Sequence, residues 1–200
     1  MSARIAVIYY SATGNVHKLA KGIAEGAESA GAEVRLRRVD ELASDQSIAA
    51  NPAWAGHSDT TSEDVVVASN ADLEWANGFA FGSPARFGNI AAPLKQFIDE
   101  TSELWAAGKL ANKLVTSFTS GQNIHGGLES TLLALNNSFY HWGSIIVPPG
   151  YTSESVFAAG GNPYGTSYPS TNDVPELAAA ALQAARQQGA RLTEFAQRLG

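Results

Sequence analysis

The chain contains no cysteine. That excludes a disulfide, a thiolate nucleophile and any Cys-based zinc site, so any redox chemistry has to come from a bound cofactor. Positive charge is also scarce: 13 Lys and Arg against 19 Asp and Glu give a formal net charge of -6. An acidic protein without a local basic cluster attracts neither nucleic acid nor an anionic membrane. The densest basic run, Arg35, Arg37 and Arg38, reads as the solvated side of a strand. No stretch approaches the roughly 18 apolar residues that a membrane helix needs, and no basic segment with a following apolar run opens the chain. The expectation is therefore a cytoplasmic protein with no membrane insertion. The Gly-x-Gly-x-x-Gly and Walker signatures are missing, as are a zinc-helix spacing of His and carboxylate and a Gly-x-Ser-x-Gly elbow. No metal site is expected. What is present is ordinary globular material: 200 residues, 44% hydrophobic and 16% charged, suit one domain over residues 1–200 with a good-sized core.

Hydrophobic spacing orders the chain. Ile5 to Tyr9 is an apolar strand, and Val16, Leu19, Ala20, Ile23, Ala24 and Ala27 recur on one helix face that Gly31 ends. Glu33 to Arg38 alternates, as a strand exposed on one face or at an edge does. Asp40 to Glu63 shows little periodicity and reads as a long loop, with Trp54 as its only large anchor, buried locally or against a neighbouring subunit. Ser69 to Asp72 forms a capping box for a short helix through Trp75. Gly78 to Gly82 is the third strand, and Leu94, Phe97, Ile98 and Thr101 line the helix that Pro93 opens. Lys113 to Thr119 is the fourth strand, followed by a helix bearing Leu128, Leu132, Leu135 and Phe139. Ser144 to Val147 is a fifth strand stopped by Pro148 and Pro149, and a second long loop extends to about residue 173. Asp173 with Glu176 forms a further capping box, and Leu177, Ala181, Ala184, Leu192, Phe195 and Leu199 line the last helix.

Five strands alternating with helices give an α/β fold: a parallel sheet covered on both faces. In such sheets ligands sit at the carboxyl ends of the strands, where the strand order reverses. The polar turns beginning at Ser11, Ser83 and Thr119 all leave such ends, and lie side by side if the order is 2-1-3-4-5. The first, Ser11-Ala12-Thr13-Gly14-Asn15, runs from a strand into a helix. Hydroxyls, unpaired amides and the positive helix end therefore meet there, which suits a phosphate held by neutral donors. The long loops are expected around the same rim.

This first turn resembles the phosphate loop of the flavodoxin family, which holds flavin mononucleotide (FMN). Further blocks resemble the WrbA family of FMN-dependent NAD(P)H:quinone oxidoreductases: Ser83 to Asn89, Pro93, Asp99 to Trp105, Phe118 to Ser120, His125 to Thr131 and Gly160 to Gly165. They follow the family's order over nearly the whole chain. The resemblance implies a flavodoxin-like three-layer sandwich, with long loops at about 40–63 and 148–173 as family insertions. It also implies a homotetramer, a dimer of dimers whose neighbouring subunits help enclose each flavin.

Carried onto this sequence, the resemblance assigns the phosphate to Ser11, Ala12, Thr13, Gly14, Asn15 and Val16. It sets Pro84, Ala85, Arg86, Phe87 and Gly88 at the isoalloxazine, and wraps the other edge and the ribityl chain with Thr119, Ser120, Gly121, Gln122, Asn123 and Gly126. His141 approaches a flavin from an adjoining subunit, and Trp105 borders the quinone pocket. Thr13 stands where members often carry an aromatic residue that meets the nicotinamide. The residues alone leave other roles open: a paired surface arginine for Arg86, a helix cap for His141, an exposed loop residue for His125 and a core position for Trp105. The function implied is two-electron reduction of a quinone to a quinol by NADH or NADPH, through FMN and with ping-pong kinetics. A flavodoxin-type one-electron carrier and a flavin-free binding module are the alternatives.

Overall fold

The computed structural model describes residues 2–170 and 174–199. Its framework is a parallel sheet of β1 (Arg4–Tyr9), β2 (Glu33–Arg38), β3 (Gly78–Pro84), β4 (Leu114–Gly121) and β5 (Ile145–Ile146), in the order β2-β1-β3-β4-β5. Side chains alternate across a strand, so β1 feeds two cores at once. Ile5, Val7 and Tyr9 pack on one side with Leu19, Ile23 and Leu192. Ala6, Ile8 and Tyr10 face the other, with Phe79, Phe81, Leu94 and Phe139. The first layer is made by α1 (Asn15–Ser29) and α9 (Pro175–Leu199). The second is made mainly by α4 (Asn70–Trp75), α5 (Ala92–Asp99), α6 (Ser102–Ala106) and α7 (Leu128–Trp142). No helix among the described residues is long and apolar enough to cross a membrane.

Helices α1 and α9 touch backbone to backbone. A Cβ on Gly26 would stand 1.9 Å from the carbonyl oxygen of Arg186, and one on Gly189 would stand 2.0 Å from that of Ile23. Two glycines, one from each helix, therefore set the spacing, and the start of α1 is held in place by the packing of its far half.

The structure alters four expectations. The segment read as a loop from Asp40 to Glu63 holds α2 (Asp45–Ala49) and most of α3 (Pro52–Asp64). Its apolar residues are too few to mark a face, but Asn51 caps α3, its side-chain oxygen accepting from the N–H groups of Ala53 (3.1 Å) and Trp54 (3.3 Å). Pro52 takes the first helical position, where its missing donor costs nothing. Trp54 buries itself locally, its indole N–H donating to Glu41 at 3.1 Å.

The fifth strand is shorter than Ser144 to Val147, and a sixth exists. Proline cannot donate to a sheet ladder, so the chain leaves at Pro148. It passes through α8 (Glu154–Ala158) and returns as β6 (Ser167–Pro169), parallel to the far half of β4.

The basic run is not simply solvated. Arg35 and Arg37 share the buried Asp72 at 3.1 and 3.0 Å, and the Arg35 guanidinium lies 4.1 Å from the centre of the Trp75 ring. On α9, Leu199 is exposed rather than inward.

The Ser69 and Asp72 capping box is present, the Ser69 N–H and hydroxyl both donating to Asp72 at 3.1 Å. The box expected at Asp173 lies outside the described residues.

Gly26→Ala should destabilise the protein by about 1–3 kcal/mol, the usual cost of overpacking, despite alanine's better helix propensity. Gly56→Ala, where a Cβ meets nothing within 4 Å, should be neutral or stabilising by up to about 1 kcal/mol. Thermal unfolding of the two variants measures both, and a Gly26→Ala protein as stable as the parent contradicts the backbone contact.

Candidate functional site

The carboxyl ends of β1, β3 and β4 stand level, with Tyr9 beside Gly82, Gly82 beside Phe118 and Pro84 beside Ser120. Their three loops open on one cavity of about 310 Å³, within the usual size of a small-molecule site. Ser11, Ala12, Thr13, Asn15 and Val16 line it from the first loop, Pro84, Ala85 and Arg86 from the second, and Ser120, Gly121 and Gln122 from the third. Asn51 and Ser170 complete the wall, and no carboxylate lines it among the described residues. A lining of hydroxyls, amides and one guanidinium suits a phosphate-bearing ligand.

The first loop is shaped by Gly14, whose φ of +91° favours glycine, at the start of α1. The Ser11 hydroxyl oxygen accepts from the N–H groups of Gly14 (3.1 Å) and His17 (3.2 Å). The N–H groups of Asn15 and Val16, at the first turn of α1, have no intrahelical acceptor. They form the donor pair that the loop offers.

The second and third loops are stitched together below the cavity. The buried Thr119 hydroxyl donates to the Ser83 carbonyl at 2.7 Å, and the Ala85 N–H donates to the Ser120 carbonyl at 2.7 Å. Thr119 is therefore a tie between loops and does not face the cavity. Arg86 and Asn89 exchange backbone bonds at 2.9 and 3.0 Å across a tight turn. At its tip Phe87 has φ +53° and its side chain is fully exposed. An aromatic residue held in the left-handed region with no packing partner is a strained arrangement of the kind found at binding sites. Gly88 and Gly127 pass within contact distance, a Cβ on Gly127 standing 2.4 Å from the Gly88 Cα. Asn123 and Gly126 are not among the residues that line the cavity, and the Asn123 side chain accepts from the His125 N–H at 3.1 Å. His125 itself is exposed.

Arg86 makes no ion pair with a carboxylate among the described residues. Burial is the main reason the Tyr10 phenol is pushed up, followed by Glu41, and the Arg86 charge opposes both.

Trp105 and His141 lie elsewhere, in a second cavity of about 500 Å³ between α5, α6 and α7. The Trp105 indole N–H donates to the His141 carbonyl at 2.8 Å, and the Trp105 side chain is about half exposed. Within one chain neither lines the first cavity. Asn51 and Ser170 are the lining residues that sequence reasoning missed. The Asn51-Pro52 pair carried a usable signal, a helix cap followed by proline, whereas Ser170 carried none.

Behind the first loop, His17 accepts the Tyr9 hydroxyl at 2.5 Å through Nδ1 when its ring is neutral, and its ring centre lies 5.4 Å from that of His57. Burial, then the charges of His57 and Lys21, push His17 down from 6.5 to about 4. Burial and Lys18 lower His57 in the same way. Between those two values the unfolded chain binds the proton that folded His17 refuses, so stability rises with pH across the window and is lost as pH falls through it. Melting temperatures of the protein should fall between pH 7 and pH 5, and less steeply for His17→Gln. Parallel curves for the two proteins contradict a neutral, half-buried imidazole.

The flavodoxin family model matches residues 7–142. A Deinococcus radiodurans protein named NAD(P)H dehydrogenase (quinone) is 45% identical over 164 residues, covering 82% of each chain. A Sinorhizobium fredii protein of the same name is 39% identical and covers 98% of each. Among solved structures, a WrbA-like flavodoxin from Agrobacterium tumefaciens aligns over 100% of both chains with a TM-score of 0.70 at 24% identity, which bears on the fold. With the sheet order, the three-loop cavity and these relatives in agreement, the chain belongs to the flavodoxin family.

Proposed function

We propose that this protein is an FMN-dependent NAD(P)H:quinone oxidoreductase, its whole chain forming one flavodoxin-like domain that acts in the cytoplasm. The observation that carries the reading is the cavity itself: three loops converge on it with hydroxyls, amides and Arg86, and no carboxylate lines it among the described residues. That donor set fits FMN, and the relatives' shared name supplies the reaction.

The Ser11, Thr13 and Asn15 side chains and the N–H groups of Asn15 and Val16 would hold the phosphate, where the positive end of α1 favours a dianion. Pro84, Ala85 and Arg86 would border the ring system, and Ser120 to Gln122 would close the opposite side. FMN, when bound, supplies the hydride-accepting and hydride-donating chemistry. Arg86 brings a positive charge to the wall, which would favour added negative charge there. Thr119 and Ser83 hold the second and third loops at constant separation, so the slot is formed before the ligand arrives.

His141 and Trp105 face outward in their own groove. That placement supports a homotetramer in which one copy's groove completes the open side of a neighbour's cavity, where nicotinamide and quinone bind in turn.

Flavin-free protein should take up FMN at least tenfold more tightly than riboflavin, since a charge-assisted phosphate contact is worth roughly 1.5–3 kcal/mol. Anaerobic NADH or NADPH should then bleach the flavin bands, a quinone should restore them, and double-reciprocal plots should be parallel. Bound FMN that neither nucleotide reduces indicates an electron carrier, and a protein that takes up no FMN a binding module. Either result overturns the proposal.

A further inference from the structure

The nucleotide cavity has a wall that comes from none of its three loops. Helix α3 follows β2, and β2 flanks β1 on the side away from β3 and β4. Its approach is therefore to the first loop and not to the ring-binding side of the cavity. Two contacts fix it there. The Trp54 indole N–H and the Tyr10 hydroxyl both donate to one oxygen of Glu41, at 3.1 and 2.9 Å, which ties the first turn of α3 to the end of β1. One turn further along, the His57 ring lies 3.4 Å from where a Cβ on Gly14 would stand.

Asn51 sits at the head of this helix and lines the cavity with Ser11, Thr13 and Asn15. Its side-chain oxygen is committed to the N–H groups of Ala53 and Trp54. The orientation of the amide is thus set by the helix start. What it has left is its NH2, a two-proton donor, which has no acceptor among the described residues.

Resting on the reading of the cavity as an FMN site, we propose that Asn51 is a further binding residue, its side-chain NH2 donating to the phosphate of the nucleotide. One amide then performs two tasks, its oxygen starting α3 and its nitrogen gripping the ligand. The cap pays in advance for ordering the side chain, since Asn51 needs no new rotamer to meet the nucleotide.

Asn51→Asp and Asn51→Ser both keep an oxygen able to cap α3, so both variants should fold, with melting temperatures of the flavin-free proteins close to the parent's. Asp loses the donor and adds a negative charge facing the phosphate, whereas Ser loses only the donor. Titrating flavin-free protein with FMN and with riboflavin, read by flavin fluorescence, should show FMN weakened about tenfold or more by Asn51→Asp and roughly threefold to tenfold by Asn51→Ser. Riboflavin should change less than twofold in Asn51→Asp. If the parent binds FMN and both variants bind it equally well, the Asn51 assignment fails while the flavin site stands. Equal losses for FMN and riboflavin overturn the contact to the phosphate end. A parent protein that binds no FMN removes the flavin reading itself, and this inference with it.

Discussion

The level ends of three parallel strands are the constraint on which the site depends. Because β1, β3 and β4 are hydrogen-bonded in parallel, the loops that leave them emerge on the same rim, and donors distant in sequence converge with no need for long side chains. The buried bonds from Thr119 to Ser83 and from Ala85 to Ser120 then lock two of the loops. The remaining one, the Ser11 loop, is braced from behind by Tyr9, His17 and His57. The cavity is accordingly a product of the sheet, and its chemistry a product of what each loop exposes: amides and hydroxyls for the most part, with a single cation.

Helix packing feeds the same rim from a distance. Gly26 and Gly189 let α1 and α9 meet at their backbones, and this contact fixes the axis along which α1 presents its first N–H groups. A loop that binds through backbone donors has little side-chain slack to correct a tilted helix. The tight contact far from the cavity therefore belongs to the same design as the loop.

Much of this was legible in the sequence. The alternation of Ile5 to Tyr9, the helical spacing from Val16 to Ala27 and the polar turns after Tyr9, Gly82 and Phe118 are strong local signals for the elements and their loops, and the family resemblance implied the sheet order that brings those turns together. Helix α3 was not legible, because its thirteen residues carry one tryptophan and no apolar stripe. Its contacts run through polar atoms such as the Trp54 indole nitrogen and the His57 ring. The sixth strand was hidden for a different reason: a three-residue strand is too short for alternation to register, and its partner half of β4 lies far from it in sequence. Trp105 and His141 show a third limit. Their residue types suit a site, but within one chain the fold gives them a groove of their own, apart from the first cavity.

The divided edge of the sheet has a consequence of its own. Where a complete fifth strand would present a continuous row of unpaired backbone groups, β5 stops after two residues at a pair of prolines, and β6 covers the other half of β4. Such an outer margin offers no template for stacking against a foreign strand. The excursion between the two pieces begins and ends beside the same strand, so its length can change over evolutionary time while the sheet and the rim it carries stay in register.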